Sequence, residues 1–245
     1  MPIVSTKSFL TSSLASGSAF KVLPAAPGDF QYLAGSATPQ WLAGTADMNG
    51  DGRGDLVFGS ALSDANGIDS GRVVVELAPL GGTTTLGAAG QLIINGGHAG
   101  DLAGAAVAGL ADVNGDGRGD VLIGAPGVDV GALTNAGAAF VVYGSGPGTV
   151  NLADVYNGVG GYAIKGEAVG DNAGTNVIAI KDMNGDGVAD YLVGATGNDQ
   201  NGTNAGAVYV VWGGASSGVN PGADLLLYHG SLANLHRASE CLTDE

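Results

Sequence analysis

The sequence predicts an all-β protein made of repeated units of four short strands. Apolar runs of strand length, many of them flanked by glycine, recur along the chain between clusters of Gly, Asn, Asp and Pro. Helical periodicity is absent from almost all of it. Glycine contributes 46 of the 245 residues without the three-residue period of collagen. This composition indicates many tight turns and closely packed backbones.

An internal repeat organises these strands. A nine-residue acidic pattern begins at Asp47, Asp112 and Asp182, at spacings of 65 and 70 residues. In each period one apolar segment precedes the pattern and three follow it. The segments are 40–46, 56–60, 71–77 and 91–96, then 105–111, 121–126, 137–144 and 162–166, then 175–180, 191–196, 206–213 and 225–230. Four antiparallel strands per period is the anatomy of a β-propeller blade.

The predicted repeats divide the chain into a lead-in over 1–19, β-propeller repeats over 20–230 and a tail over 231–245. The blades are expected at about 40–97, 104–167 and 174–230, with a flanking strand in 20–38. Closing a ring generally takes at least about four blades. Three blades therefore indicate part of a longer ring, an open stack, or half of a ring that a homo-oligomer completes.

The acidic patterns predict calcium sites. Side chains with oxygen atoms stand at positions 1, 3, 5 and 9, and glycine stands at position 6. Ca²⁺ takes about six to eight oxygen ligands, and glycine permits the sharp turn around it. Position 12 holds Phe58, Ile123 or Val193 where an EF-hand needs a bidentate Glu, so the loops are predicted to join strands.

We expect about three structural calcium ions, one per loop, with the residue at position 7 contributing its backbone carbonyl. The predicted ligands are Asp47, Asn49, Asp51, Arg53 and Asp55 in the first loop, Asp112, Asn114, Asp116, Arg118 and Asp120 in the second, and Asp182, Asn184, Asp186, Val188 and Asp190 in the third.

Short motifs after each loop resemble the FG-GAP repeat family. They are Phe-Gly-Ser at 58–60, Ile-Gly-Ala-Pro at 123–126 and Val-Gly-Ala-Thr at 193–196, and Gly-Asp pairs stand at 100–101 and 170–171. The family includes the propeller of integrin α subunits and many bacterial surface proteins. The resemblance covers roughly residues 28–213. It implies a propeller for adhesion or ligand binding, with structural calcium in its hairpin loops.

The composition argues against several classes of partner and of protein. The net charge is −15 with only 8 Lys and Arg residues, which argues against nucleic acid and anionic membranes as partners. The sequence has no 18-residue apolar run, so no membrane insertion is expected. Cys241 is the single cysteine, so no disulfide framework is possible. We expect an extracellular or cell-surface protein of bacterial origin that binds a protein or carbohydrate ligand.

Several other motifs have a structural interpretation that we favour. The two Arg-Gly-Asp tripeptides, at 53–55 and 118–120, coincide with metal-loop positions, and the sequon at Asn201 is interpreted as coincidental. Asp101 and Asp171 are predicted to orient turns. Trp41, Trp212, Tyr143 and Tyr209 are predicted to be core residues.

No enzymatic activity is expected. The histidines His98, His229 and His236 lack metal-ligand spacing, and no nucleophile stands with a matching base motif. Self-contained metal loops also lack the open coordination position that metal catalysis needs. The alternative is a domain accessory to, or part of, a secreted hydrolase.

Overall fold

The computed structural model describes residues 20–23, 42–78, 82–213 and 225–229 of the protein. The predicted lead-in, the tail, Trp41, His236 and Cys241 lie outside these residues. In this part of the chain, no helix has the length and apolar character needed to cross a bilayer.

The described residues form fifteen strands and one short helix. The first eight strands are β1 (Phe20–Leu23), β2 (Leu42–Thr45), β3 (Asp55–Ser60), β4 (Arg72–Glu76), β5 (Gly82–Thr85), β6 (Leu92–Asn95), β7 (Ala106–Leu110) and β8 (Asp120–Ala125). The others are β9 (Ala138–Val142), β10 (Gly148–Asn151), β11 (Gly161–Lys165), β12 (Ala173–Ala179), β13 (Tyr191–Ala195), β14 (Ala207–Val211) and β15 (Leu225–His229), and the helix is α1 (Leu152–Tyr156).

Three antiparallel sheets repeat along the chain, which confirms the predicted fold class. Blade 1 comprises β2, β3, β4 and β6, blade 2 comprises β7, β8, β9 and β11, and blade 3 comprises β12, β13, β14 and β15. In every blade the strands pair in chain order, each antiparallel to the next. Each of the twelve predicted apolar segments overlaps one of these strands.

Successive blades stack face to face through apolar side chains. β7 packs against β2 and β3, and β12 packs against β7 and β8. Side chains alternate along a strand, so β8 sends Val121 and Ile123 into the core shared with blade 1 and Leu122 into the core shared with blade 3. Blade 2 is consequently covered on both faces, and every residue of β8 and β9 is buried.

Three features were not predicted from the sequence. β10 pairs in parallel with β6 at the outer edge of blade 1, and α1 follows β10 directly. β1, in the region predicted to hold a flanking strand, pairs in parallel with β5 as a separate two-stranded sheet. Leu86, just after β5, is buried with Phe58 and Val74 on the face of blade 1 that points away from blade 2.

Candidate functional site

The three acidic loops occupy equivalent places in the blades. Each one connects the first strand of a blade to the second: β2 to β3, β7 to β8, and β12 to β13. The loops end at the position-9 aspartates Asp55, Asp120 and Asp190. Asp55 and Asp120 are the first residues of β3 and β8, and Asp190 stands one residue before β13. The predicted placement of the loops between strands is confirmed.

The aspartate at position 1 organises each turn. In the first loop Asp47 Oδ1 accepts the N–H of Gly50 at 2.7 Å, and Asp47 Oδ2 accepts the N–H of Gly52 at 2.6 Å. Asp112 and Asp182 accept the equivalent N–H groups at 2.6–2.8 Å. The glycines at positions 4 and 6 all have φ between 80° and 91°, a conformation that favours glycine.

The side chains at positions 3 and 5 also accept backbone N–H groups of the turn. Asn49 Oδ1 accepts the N–H of Asp51 at 3.0 Å, and Asp51 Oδ1 accepts the N–H of Arg53 at 2.9 Å. Asn49 Nδ2 donates to Asp51 Oδ2 at 3.4 Å, and the equivalent hydrogen bond in each of the other two loops is 3.0 Å long. Three oxygen-bearing side chains therefore crowd one exposed turn in every blade.

The aspartate at position 9 has a role that the motif did not reveal. Asp120 accepts the N–H of Val113 from the loop and the N–H of Gly144 from just beyond β9, both at 2.8 Å. Asp55 and Asp190 accept the corresponding N–H groups at 2.6–2.9 Å. Each of these carboxylates, at most 2% exposed, ties its loop to the end of the third strand.

The pKa is raised at two of the buried position-9 aspartates and lowered at the position-1 aspartate of the first loop. Desolvation is the largest influence on Asp120 and raises its pKa to about 6. Desolvation likewise raises the pKa of Asp55, and the carboxylates of Asp51 and Asp47 add to the shift. At Asp47 desolvation also acts to raise the pKa, but the N–H donors of the loop outweigh it, and the net pKa is lowered.

The donor set fits a hard cation. Carboxylate and amide oxygens are the ligands that Ca²⁺ prefers, and each carboxylate oxygen has lone pairs beyond those engaged by N–H groups. Among the described residues, no three His, Cys, Asp or Glu side chains form a ready cluster, because position 9 turns inward to the backbone. A complete coordination sphere would therefore depend on Asn and carbonyl oxygens as well as on the exposed aspartates.

Three other sequence interpretations agree with the structure. Asp101 accepts the N–H of His98 at 2.7 Å, and Asp171 accepts the N–H of Ala168 at 3.0 Å, so both orient turns as predicted. In the Arg-Gly-Asp tripeptides the aspartates are buried and bonded to backbone, so a partner cannot reach those carboxylates. Tyr209 lies in the core at 1% exposure, as predicted, whereas Tyr143 and Trp212 are only half-buried.

A cavity beside blade 2 was not foreseen from the sequence. It has a volume of about 280 Å³, and its lining includes Asp101, His98, Phe140, Leu152 and Tyr156. Two of these residues belong to α1, the helix that apolar periodicity did not reveal because it spans five residues. The cavity offers mainly apolar walls and one buried carboxylate to a small ligand or side chain.

Comparison with known proteins agrees with this architecture. Residues 103–142, which cover β7, β8 and β9, match the FG-GAP repeat. Phosphatidylinositol-glycan-specific phospholipase D of Rattus norvegicus is 31% identical over 170 residues, which cover 63% of this chain and 20% of that protein. The Homo sapiens protein of the same name is 31% identical over 191 residues, which cover 72% of this chain and 21% of the relative.

Integrin alpha pat-2 of Caenorhabditis elegans is 30% identical over 183 residues, which cover 67% of this chain and 13% of that protein. The chain thus spans about a fifth, or less, of the length of these relatives. The family match falls on three strands of blade 2, which lies between two blades of the same strand order. The chain contains an FG-GAP repeat, at residues 103–142.

Proposed function

We propose that the protein is a calcium-stabilised ligand-binding module that works outside the cell and has no catalytic role of its own. The observation that carries the proposal is the threefold repetition of one loop geometry. In every blade the same oxygen-bearing side chains crowd the turn between the first two strands. The likeness to an integrin α subunit supports ligand binding, and protein or carbohydrate is the expected ligand class.

The calcium ligands proposed are those of the sequence motif: positions 1, 3 and 5 through their side chains and position 7 through its carbonyl. The position-9 carboxylate, which already accepts two backbone N–H groups, would contribute through a remaining lone pair. A bound Ca²⁺ would offset the repulsion between carboxylates that share one short turn. Because the unfolded chain has no such site, binding free energy would add to folding free energy. An extracellular location suits such loops, since calcium there is millimolar.

Calorimetric titration of the chelator-treated protein tests the metal proposal. We expect about three calcium ions per chain, and a midpoint of thermal unfolding raised by ~10 °C or more at saturating calcium. A matched control is Asp186→Asn, which removes a carboxylate from an exposed position of one loop and should reduce the stoichiometry to two. A midpoint indifferent to both calcium and chelator would contradict the proposal.

The candidate ligand site is the cavity beside α1. A screen of glycans and extracellular matrix proteins against immobilised protein, run with calcium and with chelator, tests ligand binding. For any ligand found, Tyr156→Ala should weaken binding, because it removes one apolar wall of the cavity. Val159→Ala, at a residue 65% exposed and outside the cavity lining, serves as the matched control.

A second candidate function is a module that accompanies a hydrolase. The relatives named phosphatidylinositol-glycan-specific phospholipase D favour it, since the chain matches a fifth of their length. Assay of the purified chain against a glycosylphosphatidylinositol-anchored substrate distinguishes the two. Metal-dependent turnover by this chain alone would overturn the non-catalytic proposal.

A further inference from the structure

The turn that begins with a Gly-Asp pair occurs twice in the structure, and its two copies can be compared directly. Asp101 precedes blade 2 and Asp171 precedes blade 3, and each carboxylate accepts an N–H from three residues earlier. The backbone carbonyl of each aspartate also accepts the N–H of a glycine that follows the second strand of its blade. Gly127 donates to Asp101 at 3.1 Å, and Gly197 donates to Asp171 at 3.0 Å. The two turns therefore hold the following loop in the same way.

The residue after this glycine differs between the two copies. In blade 3 it is Asn198, which is 2% exposed, and its Nδ2 donates to Asp171 Oδ2 at 3.3 Å. In blade 2 it is Val128, which is also buried but has no side-chain donor. Asp101 consequently lacks the amide partner that Asp171 has.

Two further differences remove polar groups from the same region of blade 2. Phe140 stands in β9 where β14 has Tyr209, and Gly97 stands where the next repeat has Glu167. Desolvation raises the pKa of Tyr209, and the carboxylates of Glu167 and Asp171 add to the shift, so these three groups lie close together. Their counterparts in blade 2 all line the cavity of about 280 Å³ beside α1.

The carboxylate of Asp101 is the buried polar group of this cavity. Asp101 is 6% exposed, and burial raises its pKa. Its Oδ2 accepts the N–H of His98 at 2.7 Å, and the His98 imidazole, 3.8 Å away, belongs to a side chain that is 81% exposed. A carboxylate has lone pairs for several donors. Asp101 therefore retains acceptor capacity for a ligand, and a buried acceptor without a partner is costly.

The other walls of the cavity indicate what kind of donor fits. Phe140, Leu152 and Tyr156 provide apolar surface, and Asp129 adds a second carboxylate to a lining that contains no Lys or Arg. Lys165 lies outside the lining, with its Nζ 3.7 Å from the centroid of the Tyr156 ring. Two carboxylates among apolar side chains favour a cation over a neutral or anionic group, because a buried charge needs an opposite one.

We propose that this cavity binds a primary ammonium group carried on an apolar stem. The ammonium would donate to Asp101 from the place that the Asn198 amide takes beside Asp171, and the stem would lie against the apolar walls. A lysine side chain of a protein ligand and a small free amine share this chemistry. The inference names the anchoring group of the ligand, and it rests on the proposal above that the cavity is the ligand site.

Nuclear magnetic resonance titration of the intact chain with phenethylamine, in calcium-containing buffer, tests the inference. We expect saturable shifts at residues of the cavity. Phenethyl alcohol has the same stem without the charge and should bind about tenfold or more weakly, because the charge-assisted hydrogen bond to Asp101 is lost. Absent binding of the amine, or equal binding of the alcohol, overturns the proposal.

The matched protein variant is Val128→Asn, which gives blade 2 the residue that blade 3 has at the same place. Its amide should donate to Asp101 as Asn198 donates to Asp171, so the variant should fold like the wild type yet lose amine affinity about tenfold or more. Val159→Asn adds the same side chain at a residue 65% exposed and outside the lining, and it should bind the amine like the wild type. Equal affinity of wild type and Val128→Asn would mean nonspecific attraction to an acidic surface and overturns the proposal.

A second variant keeps the inference testable if Val128→Asn does not fold. Asp101→Asn retains an amide oxygen that can accept the N–H of His98, but it removes the negative charge. It should lose amine affinity to a similar degree, and retained affinity would contradict the role of Asp101.

Two further titrations distinguish the sources of the ammonium group. A short peptide with one central lysine is compared with the same peptide carrying acetyl-lysine and with free phenethylamine. Tighter binding of the lysine peptide, abolished by acetylation, would support the inference and identify a protein ligand. Binding of the free amine alone would support it and identify a small molecule.

Failure of this inference differs from failure of the ligand-binding proposal. A glycan or matrix protein whose binding Tyr156→Ala weakens, but which phenethylamine does not displace, would overturn the inference and leave the ligand site in place. Amine binding by a chain that binds no glycan or matrix protein would support the inference and contradict the proposed ligand class.

Discussion

At the scale of single residues, chemically identical aspartates in one loop do different work. Asp116 is exposed and accepts one backbone N–H, from Arg118, at 2.9 Å. Asp120, four residues later, is 0% exposed and joins two separate backbone segments. The first is available to the proposed cation, whereas the second is already part of the folded framework.

We predict that Asp120→Asn destabilises the metal-free protein by about 1–3 kcal/mol, because the amide nitrogen cannot accept one of the two N–H groups. Chemical denaturation in chelator measures this free energy of unfolding. Asp116→Asn is the control: it should leave metal-free stability nearly unchanged and weaken calcium binding to the second loop. If Asp116→Asn destabilised the metal-free protein and Asp120→Asn did not, the structural role assigned to Asp120 would be wrong.

A second residue-scale prediction concerns pH and Asp101, which is 6% exposed. Desolvation raises its pKa above the ordinary value of 3.8. The folded protein therefore holds this proton to higher pH than the unfolded chain does. The associated stability is present below about pH 4 and is lost as pH rises through the raised pKa.

Chemical denaturation of wild type and Asp101→Asn across pH 3 to 7 tests the direction of this pH dependence of stability. The wild-type free energy of unfolding should decline relative to that of the variant as pH rises, since the variant has no group to ionise there. A relative gain for the wild type would show that hydrogen bonds from the His98 turn outweigh burial.

At the scale of elements, glycine sets how closely strands of adjacent blades approach. Gly124 in β8 is in contact with the backbone of Gly174, at the start of β12. That approach lets Leu122 reach Tyr191 and Val193 in the core between blades 2 and 3. Gly59 and Gly124 are thus packing residues of the two blade interfaces.

We expect Gly124→Ala to cost about 3 kcal/mol, because the added methyl collides with backbone that cannot move without parting two blades. Gly146→Ala is the control, since its Cβ meets no atom within 4 Å. Thermal unfolding should show a lowered midpoint for the first variant and little change for the second. Equal midpoints would contradict the close packing between blades.

At the scale of the whole molecule, burial is graded across the stack. Blade 2 is buried on both faces, whereas β14 alternates between buried and more exposed residues. The outer face of blade 1 is covered by Leu86, but the face of blade 3 that points away from blade 2 has no such cover among the described residues. A stack of repeats is stabilised by contacts between neighbours, so blade 3 should be the least stable of the three.

Hydrogen exchange tests that order. Amides of β9 should exchange about tenfold or more slowly than those of β14, because opening β9 breaks two blade interfaces and opening β14 breaks one. Uniform protection across the three blades would mean that the stack unfolds as a single unit.

The sequence by itself determined the all-β class, the four-strand period and the placement of the loops between strands. These follow from local patterns: apolar runs, glycine at turn positions and acidic side chains at fixed spacing are all written along the chain. Even the turn-orienting role of Asp101 and Asp171 was accessible, because each carboxylate bonds to backbone three residues away.

Only the tertiary structure decided which aspartates face outward, which glycines separate blades and which faces are covered. Each depends on residues far apart in sequence: Asp120 joins the loop to Gly144, and Gly124 meets Gly174. A repeat pattern gives every copy the same local geometry but cannot show which copies have a neighbour. The exposed face of blade 3 differs from the buried face of blade 2 because of what packs against it, since the turns at Asn135 and Asn204 have the same local conformation.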